Sequence, residues 1–116
     1  YIGNWGKKLG DYINFVFNVK KSGKYMLDIR YQNGAGAVNT GERAAIRSSF
    51  LDGKQTRTIY FPQRGSWMDW GFSSPLVIEL EKGKHTFQIL NDENCYSQKK
   101  RLIKINVDLL RVREIE

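Results

Sequence analysis

Apolar residues recur at every second position along much of this chain. Two runs, residues 12–19 and 25–31, show this alternation most clearly. Their apolar members are Ile13, Phe15, Phe17, Val19, Tyr25, Leu27, Ile29 and Tyr31. Successive side chains of a β-strand point to opposite faces of a sheet, so a period of two predicts strands with one buried face. No stretch of 11 or more residues has the spacing of an amphipathic helix, and the chain is therefore predicted to be all-β.

Turn-forming residues separate the predicted strands at short intervals. Ser22-Gly23 and Lys82-Gly83 are turn candidates. Asp52-Gly53 is a dipeptide that tight hairpin turns prefer, because both central residues adopt positive φ. The remaining predicted strands cover residues 43–51, 56–61, 76–80, 86–90 and 102–112. Seven or eight strands at a spacing of roughly 8–12 residues predict an antiparallel β-sandwich of the jelly-roll type.

The last predicted strand changes phase partway along its length. Ile105 and Val107 share one parity, whereas Leu110 and Val112 take the other. A bulge near Leu109, or burial of both faces, would reconcile the two halves.

Two predicted loops, residues 32–42 and 91–101, are longer than the turns. Long loops held by rigid strands often carry function. A surface insertion without a role explains them equally well, and the sequence leaves this choice open.

The composition restricts the chemistry that the chain can perform. A length of 116 residues predicts one domain. The single cysteine, Cys95, excludes an internal disulfide and a cysteine-based zinc site. The single histidine, His85, follows Lys84 at a predicted hairpin exit, where an exposed side chain is expected. The acidic residues lie mostly at turns or beside basic residues, with no pair marked for hydrolysis. We therefore expect no catalytic activity.

The net charge of +7 permits a polyanionic partner. The basic residues are spread along the chain, however, and many flank turns, where lysine protects sheet edges from pairing. The aromatic residues of the strands share faces with aliphatic residues, whereas an oligonucleotide-binding surface interleaves aromatic and basic ones. No apolar run approaches the ~18 residues that cross a bilayer. Neither nucleic acid nor a membrane is an expected partner.

Four aromatic residues are not accounted for by strand alternation. Tyr12 has the parity opposite to the apolar face of its strand, Trp67 and Trp70 lie in a turn-flanked segment, and Tyr96 lies in a polar loop. A half-exposed ring is a platform for a sugar, since the C–H groups of a pyranose pack on the ring face. A ring at a loop edge can instead cover the core. The second explanation is favoured for Trp70, and both stay open for Tyr12 and Trp67.

These residues belong to a longer pattern that resembles carbohydrate-binding modules of families 6 and 35. The matching segments are Gly10-Asp11-Tyr12, Ser22-Gly23-Lys24-Tyr25, Ile29-Arg30-Tyr31, Gly65-Ser66-Trp67, Gly83-Lys84-His85-Thr86 and Asn106-Val107-Asp108. The resemblance implies a galactose-binding-type β-sandwich. It also implies a module excised from a larger protein and spanning residues 1–116, usually as an accessory to a glycoside hydrolase.

The resemblance further implies a sugar-binding cleft in the loops at one end of the sandwich. Tyr12 and Trp67 match the two aromatic residues that flank the sugar, and Asn106 matches an amide that binds its hydroxyl groups. Further ligand contacts are expected from loop residues, namely Asn39, Arg43 and Tyr96.

A structural calcium ion is typical of these families, and Asp108 matches one of its side-chain ligands. The N-terminal strand that supplies the acidic calcium ligands is missing from this sequence, so the module resembles an N-terminally truncated one.

The sequence thus predicts a non-catalytic module that binds a polysaccharide or oligosaccharide beside a catalytic domain of the same chain. The parent protein is expected to be extracellular or periplasmic. The alternative is a structural domain that braces a glycosidase and binds no sugar itself.

Overall fold

The computed structural model describes residues 2–5, 10–33, 45–62, 70–92 and 105–115, with the backbone alone for residues 2–5. Within these ranges the chain forms ten β-strands. They are β1 Ile2–Trp5, β2 Tyr12–Val19, β3 Gly23–Gln32, β4 Ala45–Leu51, β5 Lys54–Gln55, β6 Ile59–Phe61, β7 Gly71–Phe72, β8 Leu76–Leu80, β9 Gly83–Leu90 and β10 Ile105–Ile115. The predicted all-β class is confirmed. The sequence did not predict β1, nor the two-residue strands β5 and β7.

The strands form two antiparallel sheets. In the first sheet β10 lies between β1 and β3, and β3 also pairs with β7 and β8. In the second sheet β9 lies between β2 and β4, and β4 also pairs with β5 and β6. One core lies between the sheets, and its buried apolar side chains include Leu27, Ile29, Phe87, Ile89 and Ile105. The predicted β-sandwich is therefore confirmed.

Alternation identifies the buried face of β2 and β3 correctly. Ile13 and Val19 are buried, whereas Asn14, Val16 and Asn18 are exposed. The predicted hairpin between β4 and β5 is also present, with φ of 49° at Asp52 and 85° at Gly53.

The phase change in the last strand is a β-bulge. The pairing between β10 and β3 shifts register between Val107 and Leu109, so Asp108 is the inserted residue. After the bulge Leu110 and Val112 pair with Ile29 and Leu27, which returns apolar side chains to the core. The expected bulge is confirmed.

Strand β4 departs from the expected burial. The sequence marks Ile46 and Phe50 as its apolar residues, but both are half-buried, whereas Ala45, Arg47 and Ser49 are buried. Short polar side chains and one arginine thus occupy the inner face of β4.

Candidate functional site

The ends of both sheets meet at one end of the sandwich. In the first sheet the end of β3 pairs with the start of β10, and in the second sheet the end of β9 pairs with the start of β2. Segments 34–44, 63–69 and 93–104, which lie outside the described residues, follow Asn33, Pro62 and Asp92 there. We call this the loop end, defined by Tyr12, Gln32, Asn33, Pro62, Trp70, Asn91, Asp92 and Asn106.

Hydrogen bonds between the sheets hold the loop end together. The buried amide of Asn33 donates to the carbonyl of Phe61 (2.9 Å), and the Tyr31 hydroxyl donates to the carbonyl of Pro62 (2.6 Å). The rings of Tyr31 and Phe61 meet edge to face, with centroids 5.0 Å apart. These contacts join the last residues of β3 to those of β6, so the bases of two long segments are held at a fixed separation.

A second set of bonds ties the start of β2 to the end of β9. The backbone N–H of Gly10 donates to the carbonyl of Asn91 (2.7 Å), and the N–H of Asn91 donates to the carbonyl of Asp11 (2.8 Å). Tyr12 therefore directly follows two residues, Gly10 and Asp11, that backbone hydrogen bonds hold against Asn91.

Tyr12 points away from the core, as its parity predicts. Its side chain is 58% exposed and lies on the outer face of the second sheet, directly across from Leu90 on β9. An exposed ring on a rigid strand can stack on a sugar without rearrangement of the backbone. Its role as a ligand contact stays a prediction.

Asn106 lies on the outer face of the other sheet. It pairs with Gln32 across β10 and β3, and its Nδ2 donates to Gln32 Oε1 (2.9 Å). Tyr12 and Asn106 thus share the loop end but not a sheet face, and no contact between them is described. A ligand that touches both would have to reach across the loop end.

Beside Asn106 the structure places three side chains that the sequence did not group together. The Arg30 guanidinium donates to Asp108 Oδ2 (2.6 Å) and lies 4.8 Å from the centroid of the Trp70 ring. Trp70 is half-buried, and its role in covering the core stays a prediction. Arg30 precedes Tyr31 in one of the matching segments, which is the one signal that could have drawn attention to it.

The residues around Asp108 do not fit a calcium site. Its Oδ2 atom already accepts a hydrogen bond from a guanidinium, and a cation there would face the positive charge of Arg30. Calcium takes 6–8 oxygen ligands. Within the described ranges there is no group of three or more His, Cys, Asp or Glu residues that could hold a metal ion.

Four of the predicted ligand contacts, Asn39, Arg43, Trp67 and Tyr96, lie outside the described residues. Each belongs to one of the three segments that follow Asn33, Pro62 and Asp92. Their roles stay predictions.

The expectation of an exposed histidine is wrong. His85 is half-buried, because its ring fits between the turn at Asp52 and the carbonyl of Glu81. These contacts are structural and lie at the end of the sandwich opposite the loop end. In the described part of the chain, no helix is long and apolar enough to span a membrane.

Comparison with known proteins gives one similar curated sequence, whereas no protein-family model matches the chain. This chain is 30% identical to a cycloisomaltooligosaccharide glucanotransferase of Niallia circulans over 80 residues, which are 69% of the chain. The chain spans only 8% of the length of that enzyme.

Several solved structures share the fold. The Paenibacillus sp. cycloisomaltooligosaccharide glucanotransferase complexed with cycloisomaltoheptaose matches with a TM-score of 0.72 and 24% identity, over 90% of this chain and 13% of that one. An uncharacterized Listeria monocytogenes protein in complex with glucose, magnesium and calcium matches with a TM-score of 0.72 and 18% identity, over 97% and 9%. A similar structure thus contains calcium.

A separate module is matched over most of its own length. The family 35 carbohydrate-binding module of Clostridium thermocellum has a TM-score of 0.70 and 22% identity, and the match covers 94% of this chain and 74% of the module. Since a module of this family is matched over nearly all of the sandwich, the chain has the fold of the family 35 carbohydrate-binding modules.

Proposed function

We propose that this chain is a non-catalytic module that binds an oligosaccharide or polysaccharide at the loop end. The observation that carries the proposal is that the described strands preceding three long segments end together at one end of a family 35 fold, beside the exposed ring of Tyr12. Loops on a rigid scaffold are where binding residues concentrate. Glucose oligosaccharides are the first ligands to test, because a similar structure is complexed with cycloisomaltoheptaose.

In the proposed mechanism aromatic rings and amides recognise different parts of the sugar. Tyr12 and Trp67 stack on the C–H faces of a sugar, and Asn106 orients a hydroxyl group through its amide. Stacking contributes about 0.5–1.5 kcal/mol per ring beyond the area buried, so affinity for a single site is modest. Asn39, Arg43 and Tyr96 would add contacts that select the sugar.

We further infer that the module serves a larger carbohydrate-active enzyme. The curated relative is an enzyme of which the matching region forms a small part. A catalytic domain of the same chain is then the partner, and the parent acts outside the cell or in the periplasm, where polysaccharides are met. Calcium at Asp108 is not part of the proposed binding mechanism, because Arg30 holds that carboxylate.

The proposal is tested by measuring glycan binding of three variants. We expect Trp67→Ala to abolish retention on polysaccharide affinity gels and Tyr12→Ala to weaken cycloisomaltoheptaose binding by about 2- to 10-fold in calorimetry. Both should leave the melting temperature nearly unchanged. Tyr60→Ala is the matched control, because Tyr60 is 48% exposed and is not a predicted ligand contact. Its affinity should equal that of the wild type.

Two outcomes would contradict the proposal. Absence of binding to every glycan on an array, with the domain folded, would favour the bracing role. A large fall in melting temperature for Trp67→Ala without a change in binding would show that this ring packs in the core.

A further inference from the structure

Two pairs of polar residues lie side by side on the outer face of the first sheet, at the loop end. The Asn106 amide donates to Gln32 Oε1 (2.9 Å), and the Arg30 guanidinium donates to Asp108 Oδ2 (2.6 Å). Arg30 and Gln32 are two positions apart on β3, so their side chains share a face of the sheet. The two pairs are therefore neighbours, and we call these four residues the polar patch.

The Arg30 guanidinium is held on two sides. It donates to Asp108, and it lies 4.8 Å from the centroid of the Trp70 ring. The side chain of Arg30 is nevertheless 39% exposed, and that of Asp108 is 26% exposed. A side chain that is already fixed loses little conformational freedom when a ligand binds. The pair is therefore accessible and preorganised.

Both members of this pair keep unused hydrogen-bonding capacity. A guanidinium has five N–H donors, and a carboxylate accepts at both of its oxygens. In the described part of the chain, Arg30 bonds through Nη1 and Asp108 through Oδ2, whereas Nε and Nη2 of Arg30 and Oδ1 of Asp108 have no side-chain partner. Donors and an acceptor thus remain available within one small area of the surface.

Two adjacent hydroxyl groups of a sugar ring match this arrangement. A hydroxyl group donates one hydrogen bond and also accepts. One hydroxyl group can accept from the Arg30 guanidinium while its neighbour donates to Asp108 Oδ1. Asp108 balances the positive charge of Arg30, and Gln32 and Asn106 are uncharged. The polar patch therefore suits a neutral sugar better than an acidic one.

We propose that Arg30 and Asp108 are sugar contacts that recognise two adjacent hydroxyl groups of a neutral pyranose. The inference rests on the proposed function and adds specificity-determining residues to the same site. Asn106 binds a third hydroxyl group, and Gln32 holds the Asn106 amide in position. A ligand that also reaches Tyr12 spans the loop end from one sheet to the other, so an oligosaccharide binds more tightly than a single sugar unit.

Calorimetry with cycloisomaltoheptaose, whose glucose units each keep three adjacent hydroxyl groups free, tests the inference. Arg30→Lys retains the positive charge beside Asp108 but loses the planar set of N–H donors. We expect this variant to bind about 10-fold more weakly. Its melting temperature should change by about 1 °C or less. Arg113→Lys is the matched control, because Arg113 lies on the same face outside the polar patch, and its affinity should equal that of the wild type.

A second measurement changes the sugar rather than the protein. Isomaltose is compared with an acidic disaccharide in which glucuronic acid replaces one of its glucose units. Because the charge of Arg30 is already balanced, the acidic disaccharide should bind the wild type no more tightly than isomaltose does.

The outcomes separate this inference from the proposed function. A folded wild type that binds no glycan on an array overturns both. Equal affinities of the wild type and Arg30→Lys for cycloisomaltoheptaose overturn this inference alone, because sugar binding is then intact. Binding restricted to glycans without adjacent free hydroxyl groups, or tighter binding of the acidic disaccharide, also overturns it. In the latter case Arg30 would recognise a carboxylate instead of a pair of hydroxyl groups.

Discussion

His85 lies between two hydrogen-bond acceptors. Its Nδ1 atom is 2.7 Å from Asp52 Oδ2, and its Nε2 atom is 2.6 Å from the carbonyl oxygen of Glu81. A neutral imidazole has one N–H and can donate to only one of them, whereas the protonated ring donates to both. The hydrogen bond to Asp52 and then the bond to Glu81 raise the pKa of His85 above 6.5, against a smaller opposing effect of burial.

This arrangement makes stability depend on pH. A histidine with a raised pKa in the folded state stabilises that state fully below its unfolded pKa of 6.5, and the contribution is lost as the pH rises through the higher folded value. We therefore expect the urea midpoint of the wild type to fall as the pH is raised above 6.5. The His85→Gln variant should be less stable at pH 6 and lack this fall. Parallel profiles for the two proteins would contradict the assignment.

His85 and Arg47 are two residues whose surroundings the sequence does not predict. The alternation of apolar residues correctly assigns Ile13 to the buried face of β2 and Tyr12 to its exposed face. It fails for β4, where Arg47 is fully buried and its guanidinium donates to the carbonyl of Ile46 (2.7 Å). Arginine is almost never fully buried unless it is paired, so a pattern of apolar residues gives no signal for a buried arginine.

Strands β3 and β10 are joined by an ion pair on the outer face of their sheet. Arg111 lies directly opposite Asp28 and donates two hydrogen bonds to its carboxylate, at 2.9 and 2.6 Å. The guanidinium also lies 3.6 Å from the centroid of the Phe72 ring. Arg113 is more distant, with its Nη2 atom 3.9 Å from the same carboxylate. Asp28 is buried, and both of its carboxylate oxygens accept hydrogen bonds from Arg111.

Two arginine variants separate the effect of the ion pair from the effect of net charge. We expect Arg111→Gln to lower the melting temperature by about 4 °C or more, because it leaves a buried carboxylate without its bidentate partner. Arg113→Gln removes the same charge from the same strand and should change the melting temperature by about 1 °C or less. Adding Asp28→Asn to Arg111→Gln should recover part of the loss. Equal effects of the two single variants would show that net charge, not pairing, matters.

At the level of elements, the sequence predicts the positions of the strands better than it predicts which strands pair and in which register. The parity change in β10 predicts its bulge, since apolar residues must return to the core. The ion pair between Asp28 and Arg111 spans 83 positions of sequence, and it appears only once the register of β10 against β3 is known. Local patterns determine which face of a strand is buried, whereas long-range register determines which outward side chains meet.

At the scale of the whole molecule, the fold and the position of the candidate site are predicted together. A sandwich of short strands places its long loops at its ends, and the predicted loops at 32–42 and 91–101 do follow strands that end at the loop end. Tyr12 and Asn106 are predicted to share one site but lie on different sheets, so a ligand must reach across the loop end to contact both. The Arg30–Asp108 bond was not predicted, because it depends on the register of β10 against β3, which local sequence does not give.

That bond also determines what calcium removal should do. The Asp108 carboxylate is held by Arg30, so we expect treatment of the purified chain with EDTA to leave the melting temperature unchanged. Asp108→Asn should lower it by about 2–4 °C with or without EDTA, because a charge-assisted hydrogen bond is lost. Arg30→Gln should match it, since it removes the other partner of the same bond. If EDTA instead destabilises the wild type and has no effect on Asp108→Asn, then Asp108 is a calcium ligand and its contact with Arg30 belongs to the metal-free protein.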